Sequence, residues 1–186
     1  MRPVPKVDDE HRERRRRQIA DGARRAFARF GYEGATVPRL EAETGLSRGA
    51  IFSYYPSKLD LFLALVEEGR QRVLRIWLDQ GFEAVVRDAA ESPEWIALNL
   101  DVPRMLRDDD EFRTRWQGLN GALQTELTER FAAQQAAGEL RPDIELETLG
   151  YFHGAVLDGL AVHLAAGFEI DVEGTLELLR SALAPK

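Results

Sequence analysis

The sequence predicts an all-α protein. Three observations carry that prediction. Apolar residues recur at helical spacing along almost the whole chain. Helix-capping residues (Thr36, Ser47, Ser57) and helix-stopping ones (Gly31, Gly45, Gly138) fall between those stretches. No run alternates apolar and polar residues with period two for long enough to suggest a strand. Hydrophobic residues make up 44% of the 186, so a sizeable core can be buried.

The elements follow in order. Residues 1–10 contain two prolines among mixed charges and no periodicity, which predicts a flexible arm. It runs into Arg12 and Arg14 to Arg17. Ile19, Ala23, Ala26, Phe27 and Phe30 then mark one face of a first helix, which Gly31 stops. Thr36 is placed to cap a second helix, with Pro38 in the first turn, where a missing N–H costs nothing. Gly45 allows a tight turn after it. Ser47 caps a third helix that Pro56 closes, and Ser57 caps a long fourth one. Shorter amphipathic pieces cover 82–90 and 93–107, with Pro103 expected to kink or break the second. A long pattern from Asp110 to Ala137 ends at Gly138. Asp143 is placed to cap a helix over 144–166, and a last one covers 172–183. The expected architecture is a three-helix head, residues 1–56, and a six-helix body, residues 57–186.

Composition excludes several classes. There is no cysteine, so disulfide scaffolds, Cys-ligated zinc and thiol nucleophiles are out. No apolar run approaches the roughly 18 residues of a membrane span. The N-terminus is charged and lacks an apolar signal segment, from which a cytoplasmic protein is expected. His153 and His163 lie ten residues apart on one helix, outside ligand spacing, so no metal site or cofactor is expected. No catalytic constellation or phosphate loop is visible, and the chain does not read as an enzyme. Charge is unevenly spread. Residues 1–58 hold 13 Lys and Arg against 8 Asp and Glu, while the remainder holds 12 against 24. A basic head on an acidic body suits a chain that places one end on a polyanion.

The head supplies the motif. Three helices, with a short glycine-containing link between the second and third, are the signature of a helix-turn-helix. Leu40, Leu46 and Ile51 are placed to fix the helix crossing. Arg48, Gly49 and Ser53 are the small or polar side chains a recognition helix presents to base edges. The helix N-termini at Thr36 and Ser47 can offer N–H groups to phosphates.

The stretch IADGARRAFARFGYEGATVPRLEAETGLSRGAIFSYYPSKLDLFLAL resembles the TetR family of regulators. The resemblance implies phosphate-binding caps at Thr36 and Ser47 and groove-facing positions at Arg48, Gly49 and Ser53. It implies phosphate contacts from Tyr54 and Lys58. It also implies a homodimer that reads a palindromic operator in double-stranded DNA, most often as a repressor, and a body that senses a small molecule. The segment from Glu94 to Trp116, with Leu-x-x-Asp-x-Glu-Phe-Arg-x-x-Trp, is similar to the aconitase-repressor subgroup. Members of that subgroup are associated with citrate-cycle and iron-linked genes, and they carry an arginine at the Arg130 position. A buried Arg130 needs an anionic partner: Asp101 is the internal candidate, and a small carboxylate is the alternative, for which a pocket for an anionic metabolite is expected among Trp95, Asn99, Arg104, Trp116 and Arg130. The nearly all-apolar 144–166 helix predicts a two-fold contact near Leu157 and Leu160. The competing class is an architectural DNA-binding protein with no effector.

Overall fold

A computed structural model describes residues 6–185 and arranges them in ten α-helices, with no strand among the described residues. The first helix, α1 (Lys6–Gly34), buries Ile19, Ala23, Ala26 and Phe27, the stripe its spacing predicts. Gly31 takes φ 68° and bends the chain inside that span before one last turn. The expected flexible arm is corrected over residues 6–10, which are helical; residues 1–5 lie outside the described residues. Ion pairs at i,i+4, Glu10 with Arg14 and Glu13 with Arg17, support the added turns.

Thr36 stands at the N-cap of α2 (Val37–Thr44), and Gly45 ends it in the left-handed region at φ 69°. Ser47 caps α3 (Arg48–Phe52) by accepting the Ala50 N–H. Ser57 does the same for α4 (Lys58–Gln80), accepting the Asp60 N–H at 3.0 Å. The remaining helices are α5 (Phe82–Glu91), α6 (Pro93–Leu100), α7 (Val102–Asp108), α8 (Asp110–Ala136), α9 (Leu146–Ala165) and α10 (Val172–Leu183). Among the described residues the body therefore has seven helices rather than six. Pro103 lacks an N–H and divides the expected 93–107 segment into α6 and α7. Asp143 does not cap α9. Its carboxylate is held by Arg141 through two hydrogen bonds, at 2.7 and 2.5 Å, and Glu145 takes the N-cap position instead.

Two apolar cores result. One runs through α1–α4 and continues without a break into the body through Leu98, Val102, Met105 and Phe112. Phe62 of α4 is its centre: its ring meets Phe27 at 5.2 Å, Tyr32 at 5.0 Å and Phe112 at 6.2 Å. The other gathers Trp77, Phe82, Phe131, Leu149, Leu160, Leu176 and Leu179 at the far end of the body. His153 is buried there with its ring 4.5 Å from Phe82 and 4.8 Å from Phe131.

The expected two-fold contact at Leu157 and Leu160 is corrected by the same packing. Leu160 is only 7% exposed, inside the far core, and Leu157 packs against that core. The apolar side chains that α9 leaves outside are Tyr151, Phe152 and Val162, with Phe168 just beyond it and Leu178 on α10.

A candidate nucleic-acid interface and the cavity behind it

The α2–α3 turn is locked from several sides. The buried Thr44 hydroxyl donates to the Leu40 carbonyl at 2.7 Å and accepts the Leu46 N–H at 3.2 Å. Gln18 of α1 donates to the Thr44 carbonyl at 2.9 Å, and Arg25 to the Glu43 carbonyl at 2.7 Å. Gly22 lets α1 approach this closely, since a Cβ there would lie 2.6 Å from Thr44 Cα. Sequence reasoning missed Gly22. Its position on the buried stripe side of α1, among alanines, was the available signal.

The turn holds α3 with its polar side outward. Arg48, Gly49 and Ser53 are exposed, while Ile51 is fully buried beneath them. Ser53 donates its hydroxyl to the Ala50 carbonyl at 2.8 Å. Glu41 of α2 accepts the Arg48 N–H at 2.7 Å, a second cap that the sequence reading did not find. With Ser47 and Glu41 both engaged there, fewer α3 N–H groups remain for phosphates than the sequence suggested. Thr36 makes no side-chain cap bond, so its hydroxyl is not committed to α2.

Tyr54 is half-buried against the near core. Lys58 is half-buried too. Its ammonium donates to the Tyr32 carbonyl at 2.9 Å and lies 4.3 Å from the centre of the Tyr32 ring. Lysine has three N–H donors, so that bond leaves two. Burial, reinforced by the Glu33 charge, pushes the Tyr32 hydroxyl up to about 12.

Behind the head lies a cavity of about 370 Å³ between α4, α5, α6, α8 and α9. Trp95, Asn99 and Trp116 line it. Arg104 and Arg130 do not. Arg104 points outward, 3.9 Å from Glu33. Arg130 is half-buried on α8 away from the lining. The contact that Asp101 makes is with the head, where it accepts the Tyr32 N–H at 2.6 Å.

The guanidinium groups that do line the cavity belong to α4. Arg70 lies 4.7 Å from the centre of the Trp116 ring, and its pKa is lowered chiefly by burial, against the opposing Glu67 charge. Arg72 holds Asp88 through two hydrogen bonds. Asp158 of α9 also lines the cavity, and burial raises its carboxyl pKa. Sequence reasoning missed Arg70, because a charged residue on a long helix shows its cavity only once the helices around it are packed.

One lining residue reaches back to the head. The guanidinium of Arg24, on α1, lies 4.0 Å from the centre of the Trp95 ring, and it pairs with Asp21 at 3.0 Å and Glu68 at 3.4 Å. Gly69 makes room for that ring, since a Cβ there would fall 2.9 Å from Trp95 Cε3. Among the described residues no cluster of His, Asp and Glu could hold a metal ion, and no helix is long and apolar enough to cross a membrane.

Comparison with known proteins gives concordant matches. Residues 19–65 match the family model for bacterial regulatory proteins, tetR family. Residues 66–185 match the one for the BetI-type transcriptional repressor, C-terminal. The HTH-type transcriptional repressor Rv1474c of Mycobacterium tuberculosis is 41% identical over 167 residues, 88% of this chain and 89% of its own. AcnR of Corynebacterium diphtheriae, also an HTH-type transcriptional repressor, is 39% identical over 184 residues, 97% of each chain. Among solved structures, Salmonella enterica GusR superposes with a TM-score of 0.72 at 20% identity, over 91% of this chain and 94% of its own. FadR from Bacillus subtilis, in complex with stearoyl-CoA, does so with a TM-score of 0.70 at 19% identity, over 89% of this chain and 98% of its own. At those identities the two structures speak for the fold alone.

Proposed function

The chain belongs to the TetR family of bacterial regulatory proteins, and from that premise we propose a homodimeric repressor that reads a palindromic operator and is released by a small anionic metabolite. The observation that carries the DNA-reading part is the fixed α2–α3 turn, which buries Ile51 and holds Arg48, Gly49 and Ser53 outward. Arg48 is the long donor of that surface and is assigned to a base edge. Gly49 and Ser53 lie in the groove beside it. Thr36, Ser47, Tyr54 and Lys58 take phosphates and set the register. The division of labour falls near residue 56, with reading before it and assembly and sensing after it. Two copies would set their recognition helices about 34 Å apart, one turn of DNA. The dimer contact is assigned to the outward apolar side of α9 and α10, at Tyr151, Phe152, Val162 and Leu178.

The effector is assigned to the cavity behind the head. Its three tryptophans, Trp77, Trp95 and Trp116, suit an apolar body, and Asn99 can orient a polar group. Arg70 replaces Arg104 and Arg130 as the proposed carboxylate partner, because a desolvated guanidinium gains most from a bidentate anion. An occupant would press on Trp95, and Trp95 carries Arg24 of the head. Its power over DNA binding equals its differential affinity for the two dimer states.

The experiment selects a duplex from a random pool with the wild-type protein, then titrates small di- and tricarboxylates against the complex. Release by one of them, lost in Arg70→Gln while free-DNA affinity is kept, is the expected result. Release that is identical in Arg70→Gln, or no release by any carboxylate, would contradict the anionic assignment.

A further inference from the structure

The long first helix overhangs the head. From residue 9 to residue 18 no side chain is buried; burial begins at Ile19. An unpacked helical extension of this length is marginal by itself in water. Its charges are sorted by face. Arg14 and Arg17 are paired along the helix, to Glu10 at 3.8 Å and Glu13 at 3.2 Å. Arg12 and Arg16 fall on a different line, the one that continues into Ile19, Ala20 and Ala23 at i,i+3 and i,i+4 spacing. Within the head that line faces the core; beyond the head's edge it carries guanidinium groups instead.

Contacts show which edge this is. Arg16 lies 5.5 Å from the centre of the Tyr55 ring, next to Tyr54 in sequence and close to Lys58. Arg15 donates to Gln18 at 2.9 Å, and Gln18 donates to the carbonyl of Thr44, in the turn between α2 and α3. The overhang therefore leaves the head beside the turn that aims Arg48. We propose that this overhanging part of α1 is a further DNA-contacting element, in which Arg12 and Arg16 take backbone phosphates flanking the half-site read by α3. The inference rests on the DNA-reading assignment of the head. Duplex DNA is the occupant that charge and place together select: a line of exposed cations at the edge where the recognition helix stands.

The test measures operator affinity against salt for wild type, Arg12→Gln/Arg16→Gln, Arg12→Gln alone, and Arg14→Gln/Arg17→Gln. Arg12→Gln is included because it precedes the first buried residue and leaves the Arg16–Tyr55 contact in place. Two duplexes selected from a random pool serve as probes, one trimmed to its palindrome and one with a further helical turn on each side. On the long duplex each lost phosphate contact lowers the slope of log K against log salt by about 0.9, so the double variant of a dimer should lose roughly 3 to 4. The single variant should lose about half of that. On the trimmed duplex both differences should disappear, and on the long duplex Arg14→Gln/Arg17→Gln should lose less than the Arg12 and Arg16 pair. Unchanged slopes for Arg12→Gln and for the double variant on the long duplex would overturn the proposal. So would equal losses from the Arg14 and Arg17 pair, or losses that survive trimming. Wild-type protein without preference for the selected duplex over a scrambled one would instead overturn the DNA-reading assignment itself.

Discussion

At the scale of single residues, Arg48 and Gly49 divide the work of reading. Arg48 is exposed and its backbone is held by Glu41, so its side chain is presented from a fixed point. Arg48→Ala should cost about 1–3 kcal/mol on the selected duplex and relax preference at one base pair. Competition with scrambled DNA checks this, and equal losses on both would remove Arg48 from base reading. Gly49 is a different case. Its backbone is helical, and a Cβ there would meet nothing within 4 Å in the free protein. The fold does not need glycine at that place, and glycine costs a helix about 1 kcal/mol relative to alanine. Gly49→Ala should therefore raise the melting temperature slightly and weaken operator binding, because the added methyl meets the groove. A variant that is more stable and binds as well as wild type would show that DNA does not come that close.

His153 carries a pH prediction at the same scale. Burial pulls its pKa below the ordinary 6.5, and the Leu149 carbonyl bond only partly opposes that. The folded protein thus resists protonating it, while the unfolded chain does not. Its contribution is present above pH 6.5 and is lost as pH falls from there through the lower folded value. Asp60, held low first by the Ser57 hydroxyl and then by Arg115, loses its contribution only at more acid pH. Urea melts from pH 7 down to 5 should show a fall in stability that His153→Phe removes. An unaltered slope in that variant would shift the acid sensitivity elsewhere.

At the scale of elements, α6 joins the two functions. Its Trp95 lines the cavity and carries Arg24 of α1, and Asp101 at its end accepts the Tyr32 N–H where α1 closes. The near core shared by α1, α4, α6, α7 and Phe112 makes the head a poor candidate for independent motion. A shift of α6 should carry α1 with it. A cation–π contact is worth about 0.5–2 kcal/mol and allosteric couplings typically about 1–3 kcal/mol, so one such contact can hold much of the coupling. Arg24→Gln should bind effector normally by calorimetry yet release DNA less readily. Release at the wild-type effector concentration would place the coupling elsewhere in the shared core.

At the scale of the whole molecule, much was legible before the structure. Caps and glycines at Thr36, Gly45, Ser47 and Ser57 fixed the head, because each carries a local backbone requirement. The misreadings are of another kind. Asp143 looked like a cap, but a neighbouring guanidinium held it more tightly. Leu157 and Leu160 looked outward-facing because α9 is apolar nearly all round, and periodicity cannot choose between two apolar sides. Arg130 was placed in the pocket on the subgroup's arginine and its own helix face, and only packing says what that face meets. The corrected outward side of α9 now carries the assembly prediction. Val162 is 54% exposed in the single chain. Val162→Glu should place an unpaired charge in the dimer contact and yield monomers that fold but bind the palindrome weakly. Sedimentation that finds a normal dimer would move the interface to another surface.

The most direct test of the central claim is the set of sequences that the wild-type protein enriches from a random duplex pool. A dimer presenting α3 from each subunit should recover inverted repeats, with half-sites one helical turn or a whole multiple apart, and Arg48→Ala should blur one position in each half. Enrichment of single, unrepeated sites, or no enrichment above the starting pool, would contradict it.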